Sequence, residues 1–279
     1  MTVHQNSPAL SLVVPVCNGA EFLPQLLDSV LAQSAGDWQC ICVDDGSSDE
    51  SPRILGEYAA KDARFLVVTQ ANAGCGAARN RAMELAAAPL LMFADQDDLL
   101  HPQAFETARA AADAAGCDCL MFGFRRFSAP PAFEKIPSFG EIRAEPRNGT
   151  DLITGRRDSW PIFVWRHVFR TAAVAKVPFP PISGGEDQAW MSELSWNGLS
   201  WASIEPALYF NRDRPGSRSR GVSKRYVQNV LASYDWIAER SKLYGVDPAW
   251  VRRFTGHMKL MFRLSLLYRR LAGAGFFLK

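Results

Sequence analysis

The sequence predicts an α/β protein: a mostly parallel sheet flanked by helices, followed by a C-terminal helical appendage. Three observations carry this. Between Leu10 and Phe124, apolar runs of strand length alternate with segments of helical period. Three polar clusters, at 17–19, 44–49 and 95–98, close such runs. In parallel sheets ligands gather beyond the carboxyl ends of the strands, so the clusters should meet in one crevice. Finally, the charge is uneven. The 279 residues carry a net +2, yet residues 218–279 hold 13 Lys and Arg against three Asp and Glu. A basic tail on an acidic body suits an anionic partner.

Taken in order, Leu10–Val16 reads as a strand, with Pro15 near its end where a missing amide is tolerated. Cys17-Asn18-Gly19 is turn chemistry. Phe22, Leu23, Leu26, Leu27, Val30 and Leu31 recur at helical spacing. Trp38–Val43 is the second strand, and Asp44–Asp49 is a loop supplying caps for a helix over 52–61. Arg64–Thr69 is the third strand. Gln70–Asn80 is a small-residue loop entering a helix that runs to about Ala87, and its bare backbone suits an anionic ligand.

Leu90–Ala94 is a buried strand that ends in Asp95, Asp97 and Asp98 around Gln96. Three carboxylates so close repel one another unless a cation joins them. The plainer reading is an acidic loop in which Asp98 caps the helix over 102–115. Cys119–Phe124 is a further strand, and Ser128–Thr150 a surface excursion rich in Pro, Gly and charge. The second half is less regular. Residues 160–170 are dense in aromatics and base. Glu186-Asp187 opens a helix to Trp196, Ala207–Phe210 is a short strand, and a basic loop from Arg212 to Arg220 precedes helices over 226–243 and 250–271. The expected units are residues 1–217 and 218–279.

No apolar run approaches the roughly 20 residues that span a bilayer. The short polar N-terminus lacks signal-peptide character, so a cytoplasmic protein is expected. The six cysteines fit that compartment. Cys40 with Cys42, and Cys117 with Cys119, are read as pairs on one strand face, packed as reduced thiols rather than metal ligands.

Five motifs in this order resemble the family 2 glycosyltransferases and their GT-A fold, over roughly residues 10–220. Leu12–Asn18 resembles the opening strand and nucleotide loop, and Val43–Asp49 the second nucleotide loop. Asn72–Arg81 resembles the Gly-x-x-x-Ala-Arg-Asn stretch, Asp95-Gln96-Asp97 the Asp-x-Asp metal motif, and Glu186-Asp187 the late Glu-Asp motif. Tyr209–Ser219 resembles the Arg-, Gly- and Ser-rich loop that often follows. Two positions depart: Cys17 stands where the family often has an aromatic, and Gln96 where it has a small residue.

The resemblance implies an inverting transfer from a nucleotide-diphosphate sugar, expected to be a UDP-sugar, to a hydroxyl of a saccharide or lipid-linked acceptor in surface polysaccharide or glycolipid synthesis. Pro15, Val16, Asn18, Asp45, Arg79 and Asp95 are the expected donor-binding residues, with Asp45 accepting from a uracil-type base. Arg79 faces two options, a phosphate or a neighbouring carboxylate. Asp97 is the expected Mn²⁺ or Mg²⁺ ligand. Asp187 is the general base and Glu186 its orienting partner. Trp165 and His167 line an acceptor pocket or pack in an aromatic core, and Arg214 and Arg218 close over the diphosphate or stay solvated.

In the last helix, Val251, Phe254, Met258, Met261, Phe262, Ser265 and Tyr268 lie on one side. This side is expected to rest on an anionic membrane or to pack on protein. No nucleic-acid partner is expected. Two rival readings remain. A nucleotidyltransferase would want a Lys-bearing Gly-rich signature near the first strand, which Val13–Phe22 lacks. A non-catalytic receiver-like module would use the acidic pocket but gives no role to Glu186-Asp187.

Overall fold

The computed structural model describes residues 7–129, 131–133, 144–147, 163–213 and 223–273. Among them, nine strands form one sheet in the order β3-β2-β1-β4-β8-β6-β9-β5, with β7 paired to β9. Strands β1 (Leu10–Val16), β2 (Trp38–Asp45), β3 (Phe65–Gln70) and β4 (Leu90–Phe93) are the parallel part. β1 is central to it, with Leu10 opposite both Trp38 and Leu90. Parallel strands are covered on both faces, so they read as unbroken apolar runs. Period two sorts β1 between two cores. Leu10, Leu12, Val14 and Val16 join α1 (Leu23–Leu31), while Val13 turns to α3 (Cys75–Leu85).

Beyond β4 the sheet is mixed. β8 (His167–Arg170) runs antiparallel between β4 and β6 (Cys119–Phe127). β9 (Trp201–Arg212) is parallel to β6 and antiparallel to β5 (Leu99–Leu100) and β7 (Glu145–Arg147). The mostly parallel expectation therefore describes the β3-β2-β1-β4 half. β9 is three times the length expected, because the sheet absorbs Glu205-Pro206 at an irregular register around Gly123. A Cβ on Gly123 would overlap the Glu205 carbonyl oxygen.

Helices α2 (Ser51–Lys61) and α4 (Ala104–Ala115) fall where their periodicity puts them. After a short helix α5 (Thr171–Val174), α6 (Glu186–Trp196) is buried all along Gln188–Leu194. Helix α7 (Lys224–Ser241) starts at Ser223, whose Oγ accepts the Tyr226 amide, and α8 (Pro248–Gly273) follows. Ala189 of α6, Val230, Tyr234 and Ile237 of α7, and Met258 of α8 share one core, with Phe254 and Phe262 against it. No helix of the described residues is long and apolar enough to cross a membrane.

Two expectations change. Cys40 and Cys42 share a face, with their sulfurs 3.7 Å apart. Cys117 and Cys119 do not: the strand begins only at Cys119, and the two residues enter different cores. On α8, Val251, Phe254, Met258 and Phe262 pack inward, so of the two alternatives for this side the structure takes packing on protein. Met261 is exposed, and the side chains of Ser265 and Tyr268 lie outside the described residues.

Candidate active site

The carboxyl ends of β1, β2 and β4 meet the start of α3 and of α6. The loops after β1 and β2 are laced together. Asn18, held at φ 51°, donates its amide to Ser47 Oγ at 3.0 Å and accepts the Ser48 amide at 2.8 Å. Asp49 Oδ2 accepts the Ala20 amide, and Ser51 Oγ the Gly19 amide. Ser47 and Asp49 are thus turn residues. Pro15 and Val16 bury their side chains, so only their main chain can face a donor.

Asp45 also differs from expectation. It is 3% exposed. Its Oδ1 accepts from Gln70 Nε2 and the Ala73 amide, and its Oδ2 from the Gly74 amide, all at 2.8 Å. The carboxylate that was expected on the base holds the entry to α3.

The loop after β4 is clamped from two sides. Gln96 pairs with the main chain of Cys17: Oε1 accepts its amide at 2.8 Å and Nε2 donates to its carbonyl at 3.1 Å. Asp98 is 1% exposed and caps no helix. It accepts from the Tyr209 hydroxyl at 2.7 Å, the Arg212 amide at 2.6 Å and the Asn211 amide group. The same Tyr209 hydroxyl accepts the Asp95 amide at 2.9 Å, and Arg212 Nε donates to the Asp97 carbonyl at 2.6 Å. Burial, then the charges of Asp95 and Asp97, push Asp98 up to about 8.

Arg79 joins this loop to the late motif. Its side chain is 3% exposed. Nη2 lies 3.1 Å from Asp95, while Nη1 pairs with Asp187 and lies 3.8 Å from Glu186. Of its two options, Arg79 takes the carboxylates. Gly76 permits the approach, since a Cβ there would crowd the Pro180 carbonyl at 3.3 Å. Asp187 keeps a fifth of its side chain exposed and accepts from the Val164 amide. Burial pushes it up to about 7; Arg79 opposes the shift, and Glu186 and Asp95 add to it. Glu186 is turned back to accept the Gly184 amide at 3.0 Å.

Two candidates fall in the core instead. His167 is 0% exposed and paired in β8 with Met121, because β8 lies inside the sheet. Its Nδ1 faces the Phe163 carbonyl at 2.9 Å, so it carries the proton. Trp165 is 5% exposed, stacked between Phe163 and Tyr209 at 5.1 and 4.6 Å between ring centres. Neither lines an open acceptor pocket. Arg214 and Arg218 lie outside the described residues.

Sequence reasoning missed the anchoring contacts of Tyr209, Asn211 and Gln96, and read Arg212 as part of a basic loop that could close over the diphosphate, whereas it ends β9 and holds the acidic loop. Spacing gives no sign of partners 79–115 residues away. The only local hint was a long polar residue between two acids.

Among the described residues no three His, Cys, Asp or Glu side chains are grouped so as to hold a metal ion by themselves. The site nevertheless suits a hard divalent cation. Asp95 and Asp97 offer carboxylate oxygens at the end of one strand, the donor type that hard cations take. Mg²⁺-like ions need just one or two carboxylates when phosphate and water complete the shell.

The Glycosyl transferase family 2 model matches residues 11–170, and the chain belongs to that family. It is 39% identical over 255 residues to the putative glycosyltransferase EpsH of Bacillus subtilis, covering 85% of this chain and 71% of the relative. It is 27% identical over 219 residues to the uncharacterized glycosyltransferase EpsJ of the same organism, covering 75% of this chain and 62% of the relative. This chain is thus shorter than both. The fold is shared with S. aureus TarS 1-349 in complex with UDP-GlcNAc: TM-score 0.69, 21% identity, 94% of this chain and 72% of TarS covered.

Proposed function

We propose that this chain is a metal-dependent, inverting glycosyltransferase. It would move a sugar from a nucleotide diphosphate, most simply UDP, to a hydroxyl of a saccharide or lipid-linked acceptor in surface polysaccharide or glycolipid synthesis. The observation that carries the reading is the sharing of the Arg79 guanidinium between Asp95 and Asp187. It supports the reading because the loop after β4 and the start of α6 then meet on one side chain. The UDP-GlcNAc held by the TarS structure supports a uridine donor.

In this reading Asp187 removes the acceptor proton as the hydroxyl attacks. A base poised near 7 suits that task. One direct displacement inverts the anomeric carbon, so no protein nucleophile is needed. Glu186 and Arg79 position Asp187. Asp97, with Asp95, would hold Mn²⁺ or Mg²⁺, which when bound stabilises the charge of the departing diphosphate. Pro15 and Val16 offer main-chain contacts to the donor. Asn18 shapes the turn beside it, and Asp45 reaches the base only through the lone pairs its loop bonds leave. Arg214 and Arg218 are assigned, on sequence alone, to the segment covering the diphosphate. Residues 1–217 would carry the donor and base residues and 218–279 a helical appendage packed on α6, working at the cytoplasmic face of the cell membrane.

The test is a panel of nucleotide sugars screened for hydrolysis and for protein melting shift, with Mn²⁺ and with chelator. One uridine donor should raise the melting temperature and be consumed only with the cation. Asp187→Asn should lower turnover at least about a hundredfold while donor binding persists. Turnover unchanged in chelator, or in Asp187→Asn, would sink the reading.

A further inference from the structure

Helix α8 has no acidic residue in its 26 positions and six basic ones. Its inward side, Val251, Thr255 and Met258, is buried against the rest of the chain. On the opposite side a second apolar stripe is exposed. Leu260, Leu264 and Leu267 are 54%, 48% and 53% exposed, and Met261 beside them 41%. Their spacing of four and three residues sets the leucines one above another along the helix. Arg253 continues the stripe toward the helix start. Arg252 and Arg263 run along one edge, with Lys259 partly engaged by Asp235 of α7.

We propose that this leucine stripe is a docking face for an anionic lipid surface. Apolar side chains at the centre with cations at the margin fit the boundary between acyl chains and anionic headgroups. The helix lies on such a surface rather than crossing it, since it is too polar to span. A second copy is the poorer occupant. Two such stripes face to face would set arginines against arginines, with no acid on either helix to relieve them. The proposal goes beyond the glycosyl-transfer reading and is independent of it, because its test reads binding and not turnover.

The whole chain is sedimented with phosphatidylcholine vesicles, alone or with about a third phosphatidylglycerol. Wild type should partition onto the anionic vesicles and stay largely free of the neutral ones. Replacing Leu260, Leu264 and Leu267 together by Ser should lower that partition by at least about tenfold at unchanged melting temperature. If the triple variant melts early, single Leu260→Ser and Leu264→Ser give the same reading in smaller steps. Arg252→Gln, Arg253→Gln and Arg263→Gln should each lower partition by about fivefold, less in high salt. Three results would overturn the proposal. Wild type could remain in solution with anionic vesicles. The leucine variants could bind as wild type does. Or sedimentation velocity could show a dimer that Leu264→Ser dissolves, which would give the face to a second copy.

Discussion

Tyr209 and Asp98 form a buried pair across 111 residues of chain, hydroxyl to carboxylate at 2.7 Å. Because the same hydroxyl accepts the Asp95 amide, the pair sets the path of the acidic loop from behind. Tyr209→Phe should remove the hydroxyl partner of the Asp95 amide and leave Asp98 Oδ2 with the Asn211 amide group, at a cost of about 1–3 kcal/mol. Mn²⁺ affinity in the presence of UDP, read by calorimetry, should weaken by about tenfold, as when a support behind a metal ligand is removed. Wild-type affinity alongside lowered stability would reduce Tyr209 to a packing residue.

Arg79 answers for three carboxylates, so its removal should cost more than one ion pair. Arg79→Met leaves Asp187, Asp95 and Glu186 mutually repelling, and stability in urea should fall by about 3–5 kcal/mol. Arg79→Lys keeps the charge but not the fork. It should fold with a smaller loss and a kcat reduced by about a hundredfold, since Asp187 is no longer held in line. An active Arg79→Met enzyme would contradict this account.

The side-chain amide of Gln96 occupies the space over Gly19, where an added Cβ would overlap it. Gly19→Ala should displace the amide and cost about 1–3 kcal/mol. Gln96→Ala should cost about 1 kcal/mol for its two bonds to Cys17. The double variant should be less destabilised than the sum, because the overlap vanishes with the side chain. Additive melting shifts would show that Gly19 is needed for some other reason.

The legible half of the fold is the half with one physical rule. β1, β2 and β4 are sandwiched between helices, so apolar runs mark them and turn residues close them, and the edge strand β3 keeps enough apolar residues to be read beside them. β8 escaped because His167 and Arg170 break the apolar pattern of a strand inside the sheet. β9 escaped in part because Glu205-Pro206 look like a break that the bulge at Gly123 in fact accommodates. In the site, Asp95 and Asp187 were placed by motif, and Arg79 as one of two options. Asp98 was read as a helix cap and instead anchors the Tyr209–Arg212 segment, and the loop bonds of Asp45 were not foreseen, for a shared reason. A carboxylate at a strand end looks alike whether it awaits a ligand or ties down a neighbouring loop.

Burial and the neighbouring Arg166 charge pull His167 down to about 3. Its folded value thus lies below the unfolded value near 6.5. Below about pH 6.5 the unfolded chain takes a proton that the folded chain refuses, so stability falls as pH drops toward 3. His167→Asn keeps a nitrogen donor toward the Phe163 carbonyl and does not titrate. Between pH 7 and pH 5 wild type should lose about 2 kcal/mol more than the variant in urea unfolding. Parallel pH curves would mean that His167 titrates normally in the folded chain.

Gly185, at the mouth of α6, leaves no room for even a methyl group before Ser233 of α7. The last two helices are therefore no detachable ornament: they are the back wall of the helix that presents Asp187. A chain shortened ahead of residue 223 would strip that wall and bare Ala189. Replacing α6 would then mean moving α6, α7 and α8 together, as a single cassette.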